Sequence, residues 1–290
     1  MPRILDRTLQ GLSHYLEEFL ISGQTANKDG FLQHVDPRIK LSGFFTLITA
    51  TVLSSKVLLS VGLLLFSFFF AFLSKIPLLV HVKRLFYIPL FAFLISVPQV
   101  FLMEGSPVLE FKILTITLKG TSEGIHYLIE FTLRVATSIS FLSLLLLSTQ
   151  FSDLMASLKW FRLPTTLIRL FKLTYRYIFL LLREMQRLLL ARTARTLKKK
   201  GIMEEWRELS QIVGNLLIRT LERGEDTYLS ALGRGFTGTY KACPLEFDFQ
   251  MADILFIFST VTLTTIVLLA TFYPFLLETT VQLILKAFLT

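Results

Sequence analysis

Between Leu41 and Ser74 the chain runs for 34 residues with a single charge, Lys56. Roughly 20 apolar residues suffice to cross a bilayer, so this run is too long for one ordinary span. The polar step Ser54-Ser55-Lys56 divides it into two helices, Leu41–Ser55 and Val57–Ser74, joined as a tight helical hairpin. In lipid every backbone polar group needs a partner within the protein, which leaves helices or closed barrels as spanning structures. Three further stretches qualify as spans: Leu85–Met103, Tyr127–Ser148 and Ile254–Leu277. Five spans are therefore expected. With 53% hydrophobic residues, 28 Phe in 290 and a mean hydropathy of +0.61, the composition agrees with a polytopic membrane protein and excludes an ordinary soluble domain. The N-terminus, MPRILDRTLQGLSHYLEEFL, mixes charge into its apolar positions, so no cleavable signal is expected.

Charge sets the expected topology. The 75–84 loop carries Lys75, Lys83 and Arg84 with no acid, whereas 104–123 sets Glu104, Glu110 and Glu123 against Lys112 and Lys119. Basic short loops stay in the cytoplasm, so the first loop faces inward and the second outward. Alternation then puts the N-terminus and the long 151–250 stretch inside. That stretch has 17 basic against 10 acidic residues, +7 of the whole-chain +9, in agreement. Four regions follow: a cytoplasmic N-terminal segment (1–40), four spans with the external loop 104–123 (41–150), a cytoplasmic block (151–250), and a last span with a tail (251–290). The tail Val281–Leu289 is read as interfacial, a partial sixth span being the alternative. In the outer loop, LEFKILTITLKG alternates β-branched and polar residues, which predicts a short external β-hairpin.

The cytoplasmic block reads as helices. Ser152-Asp153 is a plausible cap for a short one, and Leu163-Pro164 separates it from the next. From Thr165 to about Lys199 no Gly or Pro intervenes, and basic residues gather on one side. A second helix is expected from about Met203 to Leu232, ending at Gly233-Arg234-Gly235, where glycine suits a left-handed C-terminal cap. Each long helix thus ends in an arginine flanked by small residues: Ala194-Arg195-Thr196 and Gly233-Arg234-Gly235. Because Ala191-Arg192-Thr193 repeats the first pattern one turn earlier, Arg192 is a second candidate there. A cation at a helix end offsets the dipole, which is the bland explanation. Small flanks also let a partner approach, and arginine suits bidentate carboxylate contacts.

Other patterns carry less. Gly233–Gly238 has the G-x-G-x-x-G form, but a dinucleotide site needs a strand before it and a helix after it, and here a helix precedes. There is no P-loop. The lone Cys243 can form no internal disulfide, and His14, His34, His81 and His126 are isolated from one another, so no metal site is expected. Glu130 and Arg134 lie four apart within a span; they are read as a structural ion pair, with a transport site as the alternative.

Together these residues resemble a known family, the T component of energy-coupling factor (ECF) transporters, and within it the CbiQ-like cobalt/nickel branch. His34-Val-Asp-Pro-Arg-Ile-Lys40 is similar to the family's H-x-L/V-D-P-R-x-K motif. Arg134 falls where the family often has an arginine. Leu163-Pro164, Tyr175-Arg176-Tyr177 and Glu184 resemble its LP…YRY…E run. Ala194-Arg195-Thr196 and Ser230–Phe236 resemble its two A-R-G signatures, with Thr196 and Gly233 departing from the usual Gly or Ser and Ala. The resemblance implies an all-α integral membrane fold with two long amphipathic coupling helices. It implies a non-catalytic subunit in a prokaryotic cell membrane, without a cofactor of its own; ATP and Mg would sit on partner ATPases. The implied partners are two ABC-type ATPases, a membrane-embedded substrate-binding S component, a small accessory membrane subunit and the lipid bilayer, with no nucleic acid. Residues 194–196 and 233–235 would contact the ATPases, and the cargo would be cobalt or nickel. A vitamin system sharing its T component and a permease that binds substrate itself are the alternatives.

Overall fold

The computed structural model describes residues 11, 30–54, 56–113, 116–195, 201–237 and 249–289. The chain divides into two compact units. One comprises Gly23–Ser157 with Phe247–Thr290, the other Leu158–Glu246 with Met1–Ser22.

In the first unit the helices are α1 (Phe31–His34), α2 (Pro37–Leu53), α3 (Val57–Leu73), α4 (Leu78–Ser96), α5 (Gln99–Leu102), α6 (Ser122–Ser148) and α10 (Met251–Leu289). Two antiparallel strands, β1 (Pro107–Ile113) and β2 (Ile116–Thr121), form a hairpin before α6, in register from Ile113 opposite Ile116 to Leu109 opposite Gly120, with the register shifting between Leu109 and Pro107 so that Pro107 faces Thr121. The short helix α7 (Phe151–Trp160) follows α6. Helix α6 is the hub: α2, α3, α4 and α5 pack on it, and α10 packs on α2. The centre is aromatic. Phe44 lies 5.4 Å from Phe256 and 6.1 Å from Phe141, ring to ring, and Leu47, Leu63, Leu144 and Leu147 close around them. A side chain at Gly43 would meet the Phe256 ring at 2.6 Å, so glycine is what lets α2 and α10 approach there. The outward faces remain apolar, with Leu79, Phe86 and Phe258 well exposed, as suits lipid rather than water.

The spans differ in detail from the expectation. Among the described residues, three helices are long and apolar enough to cross a membrane: Leu78–Leu102, Ser122–Ser148 and Met251–Tyr273. Helices α2 and α3 have 17 residues each, or about 26 Å, at the lower limit for a bilayer. The polar step does end one and begin the other, with Leu53 last in α2 and Val57 first in α3. They touch each other little, however: α2 packs mainly on α10 and α6, and α3 on α6, so the pair is not a tightly packed hairpin. Helix α4 starts at Leu78, seven residues before the expected span. Most of the 75–84 loop is therefore helical, and the turn proper is Ser74–Pro77. The final helix continues unbroken to Leu289, so 281–289 is an extension of α10 and not a separate partial span.

In the second unit, α8 (Thr165–Arg195) and α9 (Ile202–Gly233) are the two long helices. Pro164 precedes α8 and its carbonyl accepts from the Leu167 amide. The expected cap at Ser152-Asp153 shifts: α7 begins at Phe151, and the Gln150 carbonyl takes the Asp153 and Leu154 amides. The molecule is an all-α membrane protein carrying one β-hairpin.

Candidate functional site

Helices α8 and α9 run antiparallel. The Tyr177 hydroxyl meets Thr227 Oγ1 at 3.1 Å, Arg219 donates to Glu184 at 2.6 Å, Leu189 packs with Ile212, and Arg192 pairs with Glu208 at 3.2 Å. As one residue number rises from 177 to 192, its partner's falls from 227 to 208. The end of α8 therefore lies beside the start of α9, and the end of α9 beside the start of α8. About 26 residues of helix separate residue 169 from Arg195, or roughly 39 Å at 1.5 Å each, so the two arginine ends point to opposite extremes of the pair.

The Arg234 end is a built cap. The Phe236 amide donates to the Ala231 carbonyl at 3.0 Å and the Gly235 amide to that of Leu232 at 2.9 Å, the paired bonds of a Schellman motif. Gly235 sits at φ +78°, the left-handed conformation that this motif requires and that a side chain resists. Gly233 is different. It is the last helical residue, and a Cβ there would meet nothing within 4 Å. Arg234 itself is exposed. It lines a crevice of about 700 Å³ with Arg176, Tyr177, Arg223, Asp226 and Phe236, so three guanidiniums surround one carboxylate.

At the other end, Ala194 and Arg195 are exposed and close α8. Thr196 lies outside the described residues. Arg192, one turn earlier, is drawn into the helix pair by Glu208, whose side chain is only 7% exposed. Continuing the same register by one turn brings Arg195 level with Glu204 and Glu205 in the first turn of α9.

Two polar groupings lie in the first unit. Arg134 donates to Glu130 one turn earlier and, at 2.8 Å, to the carbonyl of Ser54, the C-cap of α2. A guanidinium there satisfies a free carbonyl and opposes the negative helix end. The second grouping is built on the HVDPRIK motif, whose partners Ser148 and Asp253 the sequence did not single out. Asp36 caps α2, accepting from the Arg38 amide at 2.9 Å, with Pro37 in the first turn. Lys40, only 1% exposed, donates to the Ser148 carbonyl at the end of α6. Asp253, equally buried, accepts from the amides of Asp36 (2.7 Å) and Gln250 (2.9 Å). The HVDPRIK segment thus ties together the start of α2, the end of α6 and the start of α10. Among the described residues no group of three or more His, Cys, Asp or Glu could hold a metal ion. His81 is fully buried between the Ser140 and Ser143 hydroxyls. His14, Cys243 and Gly238 lie outside the described residues.

Comparison with known proteins gives a consistent picture. Residues 28–243 match the family model CbiQ, described as cobalt transport protein. An uncharacterized protein of Methanocaldococcus jannaschii is 33% identical over 271 residues, covering 92% of each chain. The energy-coupling factor transporter transmembrane protein EcfT of Staphylococcus aureus is 27% identical over 265 residues, 87% of this chain and 94% of that one. The EcfT of Bacillus selenitireducens is 27% identical over 230 residues, 76% and 84% of the two chains.

Proposed function

This chain belongs to the CbiQ cobalt transport protein family, and on that premise we propose that it is the transmembrane coupling subunit of an ECF-type importer. It sits in the membrane and transmits the closure of two ABC-type ATPases to a substrate-binding S component. It catalyses nothing itself, and ATP and Mg belong to the ATPases. The observation that carries this reading is the antiparallel α8–α9 pair with an exposed arginine at each extreme. A long helix pair is a lever, and an exposed guanidinium at each end is suited to a charge-assisted contact with an acidic groove. Arg195 and Arg234 are the contact residues, with Ala194, Thr196, Gly233 and Gly235 beside them. Arg192 is set aside because Glu208 already holds it. The basic 151–250 stretch and the N-terminus face the cytoplasm.

The cargo is cobalt or nickel ion, a reading supported by the family's description. Recognition of the cargo belongs to the S component. The test is purification of the chain from cells with whatever it retains. Two ATPase subunits and a small multispan protein should co-purify, and cells lacking the chain should lose cobalt or nickel uptake. Retention of a vitamin-binding subunit would overturn the cargo assignment, and absence of any ATPase would overturn the coupling role.

A further inference from the structure

The α8–α9 pair is packed unevenly. Near Arg192 it has a small apolar core, Leu189 against Ile212, with Met185, Leu188 and Leu209 around them. Toward the Arg234 end the described contacts are polar: Arg219 to Glu184 at 2.6 Å, and the Tyr177–Thr227 hydroxyl pair. Open clefts of about 260 and 380 Å³ flank this stretch, and Glu184 lines both. Across these clefts the helices are strutted rather than packed. The Glu184 carboxylate stands at the centre of the strut, with its side chain 19% exposed and Arg187 approaching at 3.9 Å on the same helix.

We propose that Glu184 is a positioning residue for coupling: through Arg219 it fixes where the Arg234 end of α9 lies relative to α8. This rests on the coupling function proposed above. An interhelical apolar core resists sliding but tolerates tilt about itself, because its contacts are non-directional. A charge-assisted hydrogen bond has a defined length and direction, and so sets the tilt. Glu184 lies five residues from Leu189, about 7.5 Å along the helix, and so acts at a lever arm from the core. Removing its charge leaves Leu189 and Ile212 packed; the pair stays folded while the Arg234 end loses its fixed position.

The experiment uses the whole transporter, this chain with its ATPases and S component, carrying Glu184→Gln, Arg219→Gln or both. Substrate imported per ATP hydrolysed is measured together with the ATPase retained on purification. A second measurement takes the distance distribution between spin labels at the exposed positions Lys172 and Ser230, with Cys243→Ser as background. Each single variant should keep its ATPases, lose import per ATP several-fold and broaden the distance distribution. The double variant should be no worse than either single one, since both act through one bond. Unchanged import per ATP, an unchanged distribution, or losses that multiply in the double variant would overturn the assignment. Arg234→Glu run alongside separates the two claims. If Arg234→Glu abolishes import while Glu184→Gln does nothing, only the positioning role is wrong. If Arg234→Glu also leaves import per ATP intact, the coupling function itself is wrong.

Discussion

The two arginine ends of the α8–α9 pair look alike as sequence and differ as structure. Arg234 follows a helix that is stopped by a Schellman cap, and its crevice is shared with Arg176 and Arg223 against a single Asp226. Arg195 closes a helix whose preceding arginine is already neutralised by Glu208, and it lies level with Glu204 and Glu205. One end gathers three guanidiniums about one carboxylate on a fixed cap; the other sets Arg195 level with two carboxylates. If both arginines seat in ATPase grooves as proposed, the seat for Arg234 should be the more acidic.

The largest expected difference is in charge reversal. Arg234→Glu should weaken ATPase retention by about tenfold or more, the cost of losing a charge-assisted hydrogen bond and gaining repulsion. Arg195→Glu should act in the same direction but less strongly, as measured by ATPase recovered at fixed detergent and salt. Equal losses would remove the distinction between the ends. Next in size is the comparison of Arg192 with Arg195. Arg192→Gln deprives the buried Glu208 of its guanidinium and should lower stability by about 1–3 kcal/mol in thermal melts, leaving ATPase retention near normal. Arg195→Gln should do the reverse; the opposite pattern would move the contact residue to Arg192.

The glycines give a smaller contrast. Gly235→Ala forces a side chain into the left-handed region and should cost about 1–2 kcal/mol. Gly233→Ala has open space and should stabilise the helix by up to about 0.5–1 kcal/mol. If Gly233→Ala stabilises the chain yet reduces ATPase retention, a partner surface approaches the backbone there. Retention unchanged would mean that Gly233 serves no contact. The smallest effect concerns salt. Because charges are screened beyond about 8–10 Å near physiological salt, the multi-arginine end should be the more sensitive. ATPase retention in Arg195→Gln, which relies on Arg234, should fall faster with added NaCl than in Arg234→Gln.

Sequence showed these features unevenly, for physical reasons. The GRGF cap was visible because a left-handed helix end draws glycine to a fixed offset, a purely local requirement. The same letters imitated a nucleotide fingerprint, and only the helix before them dismissed it. The choice between Arg192 and Arg195 could not be seen locally, since it depends on Glu208, brought alongside by the reversal between α8 and α9. Lys40 was visible only as the last letter of the HVDPRIK motif. Its burial was not, because the carbonyl and carboxylate that this segment meets come from Ser148 and Asp253, far along the chain. The start of α4 was misplaced because Lys83 and Arg84 lowered the apparent apolarity of a segment that folds as helix with His81 turned inward.

The central claim, that Arg195 and Arg234 are the contacts through which ATPase closure reaches this subunit, is tested most directly by the double variant Arg195→Glu/Arg234→Glu in the full complex. Membrane insertion, retained ATPase and metal uptake are measured on the same preparation. The account predicts normal insertion, loss of both ATPases and no uptake. A double variant that inserts, keeps its ATPases and still transports would contradict it.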